Sequence, residues 1–363
     1  HFGSARAALA APVDAVRGLL CQKQALRDWG RDNPLALKAV EAALNWEAQP
    51  DCRLMLLSDE DFPLMLTEGI TPPPVLFLRG NTALLQRPAV AVVGSRHATP
   101  QALRIARDFG EAISEQEIAV VSGMAAGIDA AAHQGALAGA GGTIAVWGTG
   151  IDRIYPPANK NLAYQIAERG LIVSEFPLDT RPLAGNFPRR NRIIAALAQA
   201  VLVVEAAPES GSLITAKLAA EMGREVMAVP GSIDNPHSKG CHKLIKEGAK
   251  LVECLDDILQ ECPQLLQKAP VSSYSIYKET DESSAKGATE PLQTADRPSE
   301  TADESGKDEL FAAMGYDPVH PDSLAQSLGL PAADVYARLL ELELDGQIAA
   351  MTGGRYQRIK KKA

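Results

Sequence analysis

Between residues 89 and 229 the chain alternates short apolar runs with amphipathic stretches. The runs at 89–93, 119–122, 143–147, 171–174, 201–205 and 225–229 are apolar at successive positions, not at every second one. Strands of that kind are buried on both faces, and the helical stretches between them supply the cover. The pattern predicts an α/β fold, a doubly wound Rossmann-like parallel sheet, over residues 51–262.

The flanks read differently. Residues 1–50 are rich in Ala and Leu and predict short helices. They form either a small helical cap or a SAM-like or helix-hairpin-helix-like module, with Phe2, Gly3, Ser4, Ala5, Arg6 and Leu9 as its first run. The prolines Pro72, Pro73 and Pro74 then lead into a short strand at 75–78. Residues 263–308 lose all periodicity and are dominated by Ser, Thr, Glu, Asp, Ala and Pro. Such a segment buries too little apolar surface to fold, so a disordered acidic linker is expected. Order returns at 309–363. A helix-turn-helix pattern with Gly329 at the turn precedes two short strands, 348–351 and 355–358, around Gly353-Gly354. This arrangement predicts a winged helix.

A length of 363 residues accommodates these units. The 46% hydrophobic and 22% charged shares are ordinary for globular protein, and no apolar stretch is long enough to span a membrane. No signal peptide is recognisable at the start. His1 is not an initiator residue, which points to a natural start that is missing or replaced. Cys21, Cys52, Cys241, Cys254 and Cys262 are odd in number and form no CxxC pair, which argues against a disulfide framework or a zinc site and fits a reducing cytoplasm. The net charge of −9 would count against a polyanionic ligand, but residues 270–309 hold ten acids against four bases. Most of the negative charge therefore belongs to the linker.

Ligands of open α/β sheets bind beyond the carboxyl ends of the strands. Three segments there carry anion-binding chemistry. Gly94, Ser95 and Arg96 follow the 89–93 run and combine a close backbone approach, a hydroxyl donor and a forked cation. They do not form GxGxxG, and no acid follows the next strand, which ends at Ser122-Gly123, so a dinucleotide cofactor is not expected. Phe187, Arg189, Arg190, Asn191 and Arg192 open a helix. Three arginines there oppose the helix dipole unless an anion or an acid neutralises them. Phe187 offers a face on which a base can stack. Ser210, Gly211, Ser212 and Thr215 begin another helix as a phosphate cradle without the Walker lysine.

These segments, with Ser122 to Asp129, Gly148 to Asp152, Tyr155-Pro156, Val229-Pro230-Gly231 and Ser238 to Cys241, resemble the DNA-processing protein A (DprA) family, also called Smf. The resemblance covers roughly residues 55–255. It implies a non-enzymatic protein of natural transformation that protects incoming single-stranded DNA and helps load the RecA recombinase. It also implies a homodimer formed through the Rossmann-like domain. Carried over by position, Gly94, Ser95, Arg96, Phe187, Arg189, Asn191, Arg192, Ser210, Gly211, Ser212 and Thr215 would line the DNA pocket, with Gly123 and Lys239 as weaker candidates. Ala126 and His242 depart from the family pattern, which puts one contact at each position in doubt.

Several residues look catalytic. Asp129 and His133 lie i, i+4 on a helix, but two ligands are thin evidence for a metal, and helix capping with local hydrogen bonding is the expected role. Glu175 and Glu205 at strand ends are the better enzyme candidates. His237 and His242 flank the turn at Ser238-Lys239-Gly240. The rival function is a nucleotide-processing enzyme of the lysine-decarboxylase-like phosphoribohydrolase type. Such enzymes carry a catalytic glutamate on the helix after the glycine-rich loop, whereas Ser212 to Lys217 holds no carboxylate. In the winged helix, Asp334, Glu341, Glu343 and Asp345 face a single Arg338, so major-groove reading is not expected. The basic tail at Lys360, Lys361 and Lys362 could still touch phosphate.

Overall fold

A computed structural model describes residues 2, 5–20, 23–29, 34–266 and 310–358, apart from 312, 316, 317, 346, 352 and 353. The predicted sheet is present and larger than expected, with nine strands in the order β1-β2-β6-β5-β4-β3-β7-β8-β9. Its parallel part comprises β3 (Ala89–Val93), β4 (Ala119–Ser122), β5 (Thr143–Trp147), β6 (Leu171–Ser174), β7 (Ala200–Val203), β8 (Glu225–Ala228) and the two-residue β9 (Lys250–Leu251). An antiparallel extension, β1 (Cys52–Leu56) and β2 (Val75–Gly80), pairs onto β6. The sequence pattern missed β1 and β9.

Helices cover both faces. Ala89, Ala91 and Val93 share one core with α8 (Asn186–Ala196), α9 (Ser212–Glu221) and α10 (Lys239–Lys246). Val90 and Val92 point the other way, toward α5 (Pro100–Glu115), α6 (Ile128–Ala136) and α11 (Leu255–Glu261). This alternation is why the strands read as continuous apolar runs. A third cluster joins α7 (Lys160–Arg169) and α4 (Pro34–Glu47) to β2 and β5. In it Trp46 lies 5.5 Å from Phe77, ring to ring, which attaches the end of the helical cap to the sheet edge. The rest of the cap is α1 (Ala5–Ala10), α2 (Val13–Val16) and α3 (Lys23–Asp28).

The α/β domain continues slightly past its expected end, because Pro263–Leu266 forms a 3-10 turn that buries Leu265. The remainder of the expected linker, 267–308, lies outside the described residues, as do Cys21, Gly353 and the basic tail. The C-terminal unit holds α12 (Pro321–Leu328), a left-handed Gly329, α13 (Ala332–Leu344) and the hairpin β10 (Ile348–Met351) with β11 (Arg355–Arg358). Leu310, Met314, Leu324, Val335, Leu339, Leu342 and Ile348 form its core, as in a winged helix.

The strand order reverses between β3 and β7, so their carboxyl ends define the topological switch point. Pairing there continues beyond the strands proper. Val204 N–H donates to Val93 O at 3.1 Å, and Ser95 N–H donates to Glu205 O at 2.6 Å. Among the described residues no helix is long and apolar enough to cross a membrane.

Candidate nucleic-acid interface

A cleft of about 440 Å³ opens at this switch point. Its walls bring together nine of the thirteen residues expected from sequence: Gly94, Ser95, Arg96, Phe187, Asn191, Ser210, Gly211, Ser212 and Thr215. The loops after β3 and β7, one face of α8 and the first turn of α9 therefore converge on one place. Asn191 Nδ2 reaches Gly211 O at 3.5 Å and links the second turn of α8 to the start of α9. The Ser210 and Ser212 hydroxyls lie 2.7 Å apart, and Ser212 N–H donates to Ser210 Oγ at 3.3 Å.

Arg96 is exposed at the mouth of the cleft, and no acid pairs with it among the described residues. Its guanidinium lies 5.6 Å from the centroid of the Phe187 ring. Phe187 is half-buried, packs 5.5 Å from Tyr155, and rests against Gly148, where a Cβ would come within 2.8 Å of the ring. An aromatic face beside a forked cation suits stacked bases and phosphate together.

Gly123, Arg189, Arg192 and Lys239 do not line the cleft, and each has an internal role. Two of the three arginines of α8 share one internal acid and the third is bonded to backbone carbonyls, which answers the dipole argument made from sequence in part. Arg189 Nη2 lies 3.1 Å from Glu175 Oε2, and Arg192 pairs with the same oxygen while donating to Thr71 O at 2.7 Å. Arg190 is buried and donates to Gly123 O at 2.5 Å and to Val146 O. Gly123 makes room for it, since a Cβ there would sit 2.7 Å from the guanidinium. Lys239 Nζ donates to Ile233 O. Gly94 is likewise demanded by packing, with Ile128 and Glu205 O both within 3 Å of any Cβ at that position.

Sequence reasoning missed His97, Arg190 and Glu209, which also line the cleft, and gave Asp129 only a capping role. The missed signal was helical periodicity. Phe187, Arg190, Asn191 and Ile194 fall at i, i+3, i+4 and i+7, one face of α8, and all four line the cleft. Arg189 and Arg192 lie off that face.

The carboxylates that looked catalytic are each held by neighbouring groups. Asp129 is buried and accepts from Gly123 N–H at 3.1 Å and Ala125 N–H at 3.3 Å, so it ties down the loop before α6 and does not cap the helix as expected, the N-cap being Gly127. Burial pushes its carboxyl up, opposed by Arg190 and those two N–H groups. Burial also lowers Arg190 to about 10, against the pull of Asp129, so it remains a cation at neutral pH. Glu205 accepts from Thr99 N–H at 3.1 Å and Thr99 Oγ1 at 2.9 Å, which anchors the start of α5. His133 Nδ1 lies 2.7 Å from Thr143 Oγ1, whose hydroxyl donates to Val120 O. The hydroxyl therefore accepts from Nδ1–H, and the ring is neutral, its titration lowered to about 3 by burial. His242 Nε2 lies 2.9 Å from Gly231 O.

Fold and site together define a doubly wound α/β protein with a cleft lined by Arg96, Phe187 and Arg190 at its switch point, and a winged-helix unit. The family model described as DNA recombination-mediator protein A matches residues 53–263, and that of the DprA winged helix domain matches 293–354. The chain belongs to the DNA recombination-mediator protein A family. It is 41% identical to Protein Smf of Escherichia coli K12 over 325 residues, covering 89% of this chain and 82% of that one. It is 49% identical to DNA processing protein DprA of Streptococcus pneumoniae R6 over 203 residues, covering 56% and 72%. The X-ray structure of DprA from Streptococcus pneumoniae superposes with a TM-score of 0.56 at 41% identity, over 69% of this chain and 90% of that one. A structure described as giving the single-stranded DNA binding mode of DNA processing protein A from Helicobacter pylori superposes with a TM-score of 0.53 at 29% identity, over 58% and 96%.

Proposed function

We propose that this protein binds single-stranded DNA in the switch-point cleft and does no chemistry on it. In natural transformation it shields incoming strands and helps load the RecA recombinase, acting in the cytoplasm as a homodimer joined through the α/β domain. The observation that carries the reading is Arg96, an exposed cation without an acid partner among the described residues, beside Phe187 and facing the first turn of α9. Affinity comes from phosphate neutralisation and base stacking, with little sequence preference. The Helicobacter pylori relative, described as binding single-stranded DNA, supports it. The enzyme alternative lacks a carboxylate on α9 before Glu221, which pairs with Lys217 at 3.8 Å.

Fluorescence anisotropy with labelled single- and double-stranded oligonucleotides at two salt concentrations tests the proposal. Single strands bind more tightly with a steep salt dependence, and Arg96→Ala flattens the logarithmic slope by about 0.7. Equal or absent binding, together with hydrolysis of nucleoside monophosphates, overturns it.

A further inference from the structure

In a DNA-reading winged helix the second helix of the helix-turn-helix enters the major groove and carries bases. Here that helix is α13, and its outer face is apolar. Val335, Leu339 and Leu342 point into the core. On the opposite side Ala333, Tyr336 and Leu340 follow one another at spacings of three and four, with Leu344 four further on. Tyr336 is 44% exposed, Leu340 56% and Leu344 80%. A 3-4 spacing of apolar residues makes the narrow seam by which two helices pack, and contiguous exposed apolar surface marks an interaction site.

The charges beside the seam select the occupant. Asp334 and Glu341 lie toward one edge and Glu343 toward the other, with Glu343 Oε1 held against the wing by Ala350 N–H at 3.3 Å. With Asp345 the helix and its end carry four acids against the single Arg338. DNA and anionic membranes would meet like charge along this face. A second copy, seam to seam, would bring the same acids into opposition. We propose that the outer face of α13 is a docking surface for a basic amphipathic helix of another protein, its apolar stripe on Tyr336, Leu340 and Leu344 and its lysines or arginines against the flanking acids. In coiled-coil pairing, charges flanking the seam set partner choice in this way.

The full chain is titrated by anisotropy with three labelled helical peptides of equal length: a leucine seam flanked by lysines, the same seam flanked by glutamates, and the lysine peptide with its leucines replaced by glutamine. The last controls for attraction to the acidic segment at 270–309. The lysine-flanked leucine peptide is expected to bind at least about tenfold more tightly than either control, and Leu340→Asp to abolish the difference. Leu340 is exposed, so the variant should melt like the parent, and Leu344→Gln provides a second, milder test. Equal binding of the leucine and glutamine peptides, or no effect of either substitution, overturns the proposal. So does a concentration-dependent dimer, or binding to anionic vesicles or duplex DNA, that Leu340→Asp removes, since each assigns the face to another occupant.

Discussion

Arg192 and Arg189 share one oxygen of Glu175, whose side chain is 1% exposed and whose Oε1 has no hydrogen-bond partner among the described residues. Removing one member of such a group strands the others. Glu175→Gln should lower stability by about 1–3 kcal/mol, the loss limited by the 59% exposure of Arg189. Arg189 lies off the cleft face of α8, so on the proposed function single-strand binding and its salt slope should stay as in the parent. Thermal melting and anisotropy read the two outcomes separately. An unchanged melt would mean that the carboxylate does not hold the arginines, and a steeper slope that Arg189 reaches DNA outside the cleft.

Phe187 and Arg96 contribute by different physics, and salt separates them. Phe187→Ala should weaken single-strand binding by about 1–3 kcal/mol without changing the salt slope, because no charge is removed. A slope that flattens as much as in Arg96→Ala would show that Phe187 acts only by positioning Arg96.

Gly123, behind the cleft, and Gly211, in its wall, differ in what an added methyl would meet. Gly123→Ala pushes a methyl into the Arg190 guanidinium and should cost about 2–3 kcal/mol, a melting temperature lower by about 4–12 °C. Gly211 has φ −61°, and a methyl added there would meet nothing within 4 Å, so Gly211→Ala should fold normally. A loss of DNA affinity in that variant would then report close approach of the strand to the start of α9. Normal affinity would place the strand elsewhere in the cleft.

His133 makes stability depend on pH. Its folded value of about 3 lies below the ordinary 6.5, so the unfolded chain takes up the proton first as pH falls. Stability is intact above about pH 6.5 and declines toward about pH 3, by about 1.4 kcal/mol per unit from this group. Urea midpoints at about pH 7 and about pH 5 should therefore converge in His133→Gln relative to the parent. Parallel pH dependence in the two proteins would show that the imidazole is not held neutral by the fold.

The strands of the sheet's centre were legible because burial on both faces leaves continuous apolar runs. The apolar pattern places β7 one residue late because Ala200 carries little signal of its own. β1 was not legible, since Cys52–Leu56 contains Arg53 and no β-branched residue, and β9 is only two exposed residues. At the site, the loops expected from sequence converge on one cleft, but of the arginines of α8 it is Arg190, not Arg189 or Arg192, that lines it. Periodicity would have selected Arg190, whereas the acid that holds Arg189 and Arg192 comes from a loop 14 and 17 residues earlier. Nothing local in the sequence announces such a pairing.

The hydrogen bond from Ser95 to Glu205 closes the sheet one step past its last paired strand residues, Val93 and Val203. At a switch point left unzipped, a ligand sinks between diverging strands and is enclosed. Here the seam is stitched shut beneath it, and whatever occupies the site must lie across the strand tips as on a saddle. On the proposed function, a strand would then be gripped from the flanks, by α8, the start of α9 and the loop after β3, and not from beneath.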